Sequence, residues 1–248
     1  MKLRIFQKGF NYSQDGEGNR LVYHLCGCNL RCPWCSNPEG LSADGGREIL
    51  SPDGTPYTPE AIVQEALSCK PMFFDGGGVT FTGGEPTLQF DALQESLRLL
   101  KENGINTAME TNATHPRLPE LFPLVDNLIM DFKHIDDEDH RNVTGLSNAA
   151  VKANLRKAFA RHGRVLIRTV LVHGFNDTEE YARAFAAFYK ECDTSRAAFE
   201  FLPYHEYGKK KWEQCGMPYT VRDGFVSGDT VKIYRRIYEE ANLKVVRT

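Results

Sequence analysis

The chain has 248 residues, 41% of them hydrophobic and 25% charged, with a formal net charge of −3. That balance supports a buried core and excludes a disordered chain or a general nucleic-acid binder. No stretch approaches the length needed to cross a bilayer, and the first residues hold no apolar run of the signal-peptide kind, so a cytoplasmic protein is expected.

Taken in order, short apolar or β-branched runs alternate with amphipathic stretches. Residues 21–25 read as a first strand. A helix over 58–68 follows, with Thr58 as N-cap and Pro59 at the first helical position. Residues 79–82 are a second strand, and 90–103 a helix with Leu93, Leu97 and Leu100 on one face and Asn103-Gly104 at its end. A third strand at 105–109, a short helix near 118–122 and a fourth strand at 128–130 come next. A helix over 149–162, a strand over 165–172, a helix over 178–191, a strand at 199–202 and a helix over 228–242 complete the series. Residues 244–246 read as a short terminal strand, and the Gly-, Pro- and Ser-rich stretch 40–57 as a surface loop. Six βα units in series imply an α/β fold with parallel strands and right-handed crossovers, an open partial (β/α)6 TIM-like barrel in a single domain over 1–248.

In parallel α/β folds chemistry sits at the carboxyl ends of the strands. The unusual residues fall there. The cysteines follow the first strand, Gly83-Gly84-Glu85-Pro86 the second, Glu110-Thr111-Asn112 the third, Asp131-Phe132-Lys133 the fourth and Pro203-Tyr204-His205 the sixth, while Arg168 lies within the fifth. Four of the seven cysteines lie between Cys26 and Cys35, a clustering that points to metal binding or catalysis and not to a disulfide framework. Cys28-x-x-x-Cys32-x-x-Cys35 can wrap one cuboidal iron–sulfur cluster, because thiolates suit iron, and three ligands leave a fourth iron open. The competing reading is a structural zinc with Cys26 as fourth sulfur. Cys26-x-Cys28 is a poor zinc pair, and Cys26 ends an apolar strand where a packed thiol is ordinary. His24 reads as a core histidine, Trp212 and Tyr207 as packing residues, and Lys209-Lys210-Lys211 as a solvated face.

With an aromatic residue before its last Cys, the motif resembles that of the radical S-adenosylmethionine superfamily. Together with Cys35-Ser36-Asn37-Pro38-Glu39, the Gly-Gly-Glu-Pro loop, Asp131-Phe132-Lys133 and the Pro203 to Lys209 segment, the chain is similar to the glycyl-radical-enzyme activases. The resemblance implies that Cys28, Cys32 and Cys35 bind one [4Fe–4S] cluster and that S-adenosylmethionine chelates its open iron. It implies cosubstrate contacts from Gly83, Gly84, Glu85, Lys133, Arg168, His205 and the backbone around Trp34. Glu110, Thr111 and Asp131 resemble a monovalent-cation site (Na+ or K+), with Glu110 where the compared family has Asp; for Asp131 and Lys133 the competing reading is a rim ion pair. Asp15, Gly16, Lys133, His134 and Tyr204 are the expected contacts to the partner, a glycyl-radical enzyme of the pyruvate formate-lyase type, with flavodoxin or ferredoxin as electron donor. Departures are Asp15-Gly16-Glu17-Gly18 for the family's Asp-Gly-Pro-Gly, Ser36 for its His, and the extra Cys26. The interval from the cluster motif to Gly83 holds only Cys69, so no ferredoxin-like insert and a single cluster are expected. The alternative within the superfamily is an enzyme acting on a small molecule, as the carboxy-deazaguanine synthases do.

Overall fold

The structure, a computed structural model, describes residues 1–42 and 48–246, so part of the expected surface loop lies outside the described residues. Seven strands follow one another in sequence order: β1 (Ile5–Tyr12), β2 (Asn19–Leu25), β3 (Gly78–Gly83), β4 (Thr107–Thr111), β5 (Asn127–Asp131), β6 (Val165–Leu171) and β7 (Ala197–Pro203). β1 pairs with β2 antiparallel, whereas β2–β3, β3–β4 and β6–β7 pair in parallel. The α/β architecture with a mostly parallel sheet is therefore as expected. β1 is the addition. Its Gln7, Gly9 and Phe10 are exposed, so it carries no buried apolar run to betray it.

The chain gathers into two compact units. The first comprises residues 1–29, 37–111 and 117–129. In it β2 and β3 are buried along almost their whole length, as parallel strands covered on both faces are. Helix α1 (Pro59–Ser68) starts where expected, with the Thr58 hydroxyl accepting from the Ala61 N–H at 3.2 Å. Helix α2 (Phe90–Glu102) buries Leu93, Leu97 and Leu100.

Arg20, at the start of β2, is fully buried. Its Nε donates to Thr80 Oγ1 at 2.7 Å, and its terminal nitrogens donate to the carbonyls of Glu17, Gly76, Val79 and Asn106. Burial pulls its guanidinium down to about 10. Thr80 in turn donates to the Asp15 carbonyl at 2.7 Å, and Gly16, at φ +114°, packs on Arg20 and Ala108.

The second unit comprises 30–36, 112–116 and 130–248. Its helices are α3 (Asp137–Thr144), α4 (Ala149–Arg161), α5 (Glu179–Lys190), α6 (Lys209–Gln214) and α7 (Gly228–Glu240). α3 and α6 escape a sequence reading. The first is polar along nearly its whole length and buries only His140 and Thr144, and the second is six residues long. α3 is held by its cap, Asp136, whose carboxylate accepts the Glu138 and Asp139 N–H groups, and it ends at Gly145. An aromatic cluster forms the core: Phe132 meets Phe185 edge-on at 5.1 Å, and Tyr189 lies 4.6 Å from Phe199. The expected terminal strand is a single parallel bridge, Val245 to Phe199. Among the described residues no helix is long and apolar enough to cross a membrane.

Candidate functional site

The cysteine stretch leaves β2 in the first unit. Cys26 is buried, its N–H donates to the Arg4 carbonyl at 2.9 Å, and its carbonyl accepts from Gln89 Nε2 at 3.0 Å. Burial pushes its thiol pKa up, so it stays a packed thiol. Cys28 is half-buried.

Residues 30–36 belong to the second unit and are anchored there. The Arg31 N–H donates to the Thr144 carbonyl at 2.8 Å, and Trp212 Nε1 donates to the Cys35 carbonyl at 2.8 Å. The Trp34 ring lies 4.9 Å from that of Phe175. Leu30 and Trp34 are buried, and the Cys35 N–H closes a turn onto the Cys32 carbonyl. The apolar residues of the motif thus pin the loop while the cysteines punctuate it. All seven cysteines are free of disulfides. Among the described residues no three His, Cys, Asp or Glu side chains are grouped to hold a metal ion, so the fit to a cluster rests on donor chemistry and spacing.

At the end of β3 the backbone is packed to its limit. Gly83 has φ +117°, and a Cβ there would sit 2.4 Å from the Leu25 nitrogen. A Cβ on Gly84 would come within 2.1 Å of the Gly27 carbonyl oxygen and 2.6 Å of that of Gly40. Only glycine permits this approach. The Gly84 N–H donates to Leu25, the Glu85 N–H to Gly27 and the Gly27 N–H to Gly40, which joins the cysteine stretch to the Gly-Gly loop through backbone alone. Glu85 is fully buried, and its Oε1 accepts from the Thr87 N–H at 3.1 Å and the Thr111 hydroxyl at 2.8 Å. It caps a short 3-10 turn and ties β3 to β4. The Thr82 hydroxyl donates to Glu110 Oε2 at 2.7 Å.

In the second unit Lys133 pairs with Asp131 at 3.1 Å. Arg168 on β6 stands opposite Glu200 on β7, and its Nε donates to Glu200 Oε2 at 2.5 Å. His205 stacks on Tyr207 with ring centroids 4.1 Å apart, and burial lowers its pKa, which favours the neutral imidazole.

Two expected partner contacts are corrected. His134 is fully buried: the Asp136 N–H donates to its Nδ1 at 3.1 Å, and its Nε2 lies 2.9 Å from the Phe175 carbonyl. Tyr204 is 4% exposed, with its hydroxyl 2.6 Å from that of Tyr219 and its ring on Phe225. Both are packing residues that a docking chain does not reach. Tyr207, expected to pack, is 83% exposed, whereas Trp212 is buried as expected.

The sequence reading missed three buried polar residues. Besides Arg20 and Glu200 there is Asn176, fully buried, whose Nδ2 donates to the carbonyls of Lys133 at 2.9 Å and Val170 at 2.8 Å while its Oδ1 accepts the Val172 N–H. Asn176 fixes the backbone at Lys133 and at the end of β6. Its place in Gly174-Phe175-Asn176-Asp177, directly after a strand, was the available signal.

A mostly parallel α/β sheet, a three-cysteine loop after its first parallel strand and a glycine cradle after the next define an enzyme that works from its strand ends. The chain matches the radical SAM superfamily over residues 22–186 and belongs to it. It is 34% identical over 240 residues to pyruvate formate-lyase-activating enzyme of Staphylococcus aureus (strain USA300), covering 93% of this chain and 91% of the relative. Among solved structures, a domain of pyruvate-formate lyase-activating enzyme from Bacteroides vulgatus ATCC 8482 is 24% identical, with a TM-score of 0.57, over 70% of this chain and 99% of that one. QueE from Escherichia coli is 14% identical with a TM-score of 0.59 over 100% of this chain and 94% of that one. A radical SAM methyltransferase from Sphaerobacter thermophilus is 16% identical with a TM-score of 0.64, over 96% of this chain and 68% of that one. Membership implies a [4Fe–4S] cluster and S-adenosylmethionine. The residues present fit the cluster, with three cysteines at the CxxxCxxC spacing and none of them in a disulfide.

Proposed function

We propose that this chain is an activase that installs a glycyl radical on a partner enzyme of the pyruvate formate-lyase type. The observation that carries it is the 34% identity over 93% of the chain to such an activating enzyme, joined to the ordered set of strand-end motifs. Cys28, Cys32 and Cys35 hold the cluster, and the Gly83-Gly84 backbone accommodates the amino group of the cosubstrate. Lys133, Arg168 and His205 bind it by charge and hydrogen bonds, and the backbone at Trp34 lines its adenine. Glu110, Thr111 and Asp131 supply oxygens for a monovalent cation beside it. Together, the bound cluster and S-adenosylmethionine supply the chemistry: one electron breaks a sulfonium C–S bond, methionine leaves, and the 5′-carbon takes a hydrogen atom from a glycine Cα.

The chain's own work is to bind, orient and exclude water. Asn176 fixes the Lys133 backbone, and the neutral His205 ring offers a hydrogen bond without a competing charge. Asp15 and Gly16, tied to Thr80 and Arg20, meet the incoming peptide. The electron comes from flavodoxin or ferredoxin, the protein works in the cytoplasm, and its single domain carries one cluster.

The test is anaerobic mixing of reconstituted protein, dithionite, S-adenosylmethionine and a candidate partner deuterated at glycine Cα. Deuterium in 5′-deoxyadenosine and an EPR doublet on the partner support the proposal. 5′-Deoxyadenosine without label would point to a small-molecule substrate. Iron near eight per chain would refute the single cluster.

A further inference from the structure

Gly208 and Trp212 have no part in the function proposed above, yet both lie against the backbone of the third motif cysteine. Gly208 is the cap of α6, and a Cβ there would sit 2.6 Å from the Cys35 carbonyl oxygen and 2.8 Å from the Ser36 Cα. One turn on, the Trp212 indole Nε1 donates to that same Cys35 carbonyl at 2.8 Å, across 177 positions of chain. The Cys35 N–H donates to the Cys32 carbonyl at 3.1 Å, so both polar groups of the Cys35 main chain are held. Glycine is what lets the helix come this close. Trp212 is itself fixed: it is buried, its N–H donates to the Gly208 carbonyl at 3.1 Å, and its ring meets that of Tyr219 edge-on at 5.9 Å. A buried indole needs an acceptor, but any carbonyl in reach would serve for packing alone. The one it takes belongs to a candidate cluster ligand.

We infer that Trp212 is a positioning residue for the iron–sulfur cluster: by holding the Cys35 carbonyl it sets the backbone from which the Cys35 thiolate reaches iron, and Gly208 is the clearance that allows it. The direction of a cysteine's Cα–Cβ bond follows its peptide planes, so a carbonyl fixed from outside limits where the sulfur can point. Partners that orient a metal ligand in this way raise the affinity of the site. The indole N–H also turns the positive end of its dipole toward the ligand's backbone. That favours the reduced, more negative cluster and so raises its potential. The inference rests on the function proposed above, through Cys35 as a cluster ligand.

The experiment uses anaerobically reconstituted protein and three readouts: the rate of iron loss to excess EDTA, the cluster midpoint potential by spectroelectrochemical titration, and the Tm of the apo-protein. Trp212→Phe keeps an aromatic cover over the loop and deletes the N–H. Iron loss should become about tenfold faster, the scale of one hydrogen bond to a carbonyl left unpaired, and the potential should move lower. Gly208→Ala presses on the same carbonyl with Trp212 intact. It should also speed iron loss, and it serves if the Phe variant does not fold. A lowered apo-protein Tm with iron loss and potential both at their wild-type values is the signature of plain packing and overturns the inference. Wild-type protein that takes up no iron overturns the underlying functional reading instead.

Discussion

In the first unit the loop after β3 is set by close backbone packing, whereas in the second Arg168 and the Lys133 backbone are held by buried polar side chains. Around Gly83 and Gly84 the main chain of three segments is stacked so closely that a single Cβ on Gly84 would overlap a carbonyl oxygen. Around Arg168 and Lys133 order comes from buried polar partners: Glu200 for the guanidinium and Asn176 for the Lys133 backbone. Backbone stacking tolerates no substitution, because main chain cannot swing aside. Side-chain scaffolding degrades by degrees, because each hydrogen bond carries a bounded free energy.

That contrast can be broken or sharpened by experiment. The largest effect belongs to the cysteines: Cys32→Ala should abolish bound iron–sulfur cluster and 5′-deoxyadenosine formation together, read by iron and sulfide analysis after anaerobic reconstitution. Unchanged iron content would remove the basis of the functional reading. Next, Gly84→Ala should destabilise the protein by about 3 kcal/mol through overpacking against Gly27 and Gly40, read as a fall in denaturant midpoint. If it is tolerated, the cradle is not rigid and the contrast fails.

Asn176→Ala should cost about 2 kcal/mol, since it leaves two buried carbonyls and one N–H without their partner. The protein should still fold, with weakened cosubstrate affinity through Lys133. A null effect on stability would show that side-chain scaffolding here is dispensable.

The smallest effect is on pH dependence. His140, buried in α3, has its pKa lowered by desolvation despite the hydrogen bond between its Nδ1 and the Leu146 carbonyl at 2.6 Å. The unfolded state then binds the proton more readily, so stability is complete above the unfolded histidine value of about 6.5 and falls as pH drops through the lower folded value. His140→Gln should flatten the decline in Tm between neutral and acidic pH. An unaltered slope would assign that decline to other groups.

Much of the fold was legible because its signals are local. Thr58, Thr178 and Ser227 cap their helices through hydroxyl contacts to an N–H three residues on, and the apolar stripe of α2 is a matter of spacing. β1 and α3 were not legible, since one alternates into solvent around a glycine and the other has no apolar stripe. Of the site, the cysteine spacing, the strand-end positions of Gly83, Glu110 and Asp131 and the place of Arg168 within its strand could be read from the chain. The burial of His134 and Tyr204 could not, because polar side chains at strand ends look alike in sequence whether they face a partner or a carbonyl.

The sequence by itself determined the cysteine spacing, the succession of strands and helices and the polar residues near the strand ends, since each is local along the chain. The tertiary structure alone decided that Gly84 meets Gly27 and Gly40, that Glu200 takes Arg168, and that Asn176 holds Lys133 in place. Those pairings join residues 32 to 57 positions apart. Cross-strand register and close packing fix them, and neither leaves a period or a motif in the chain.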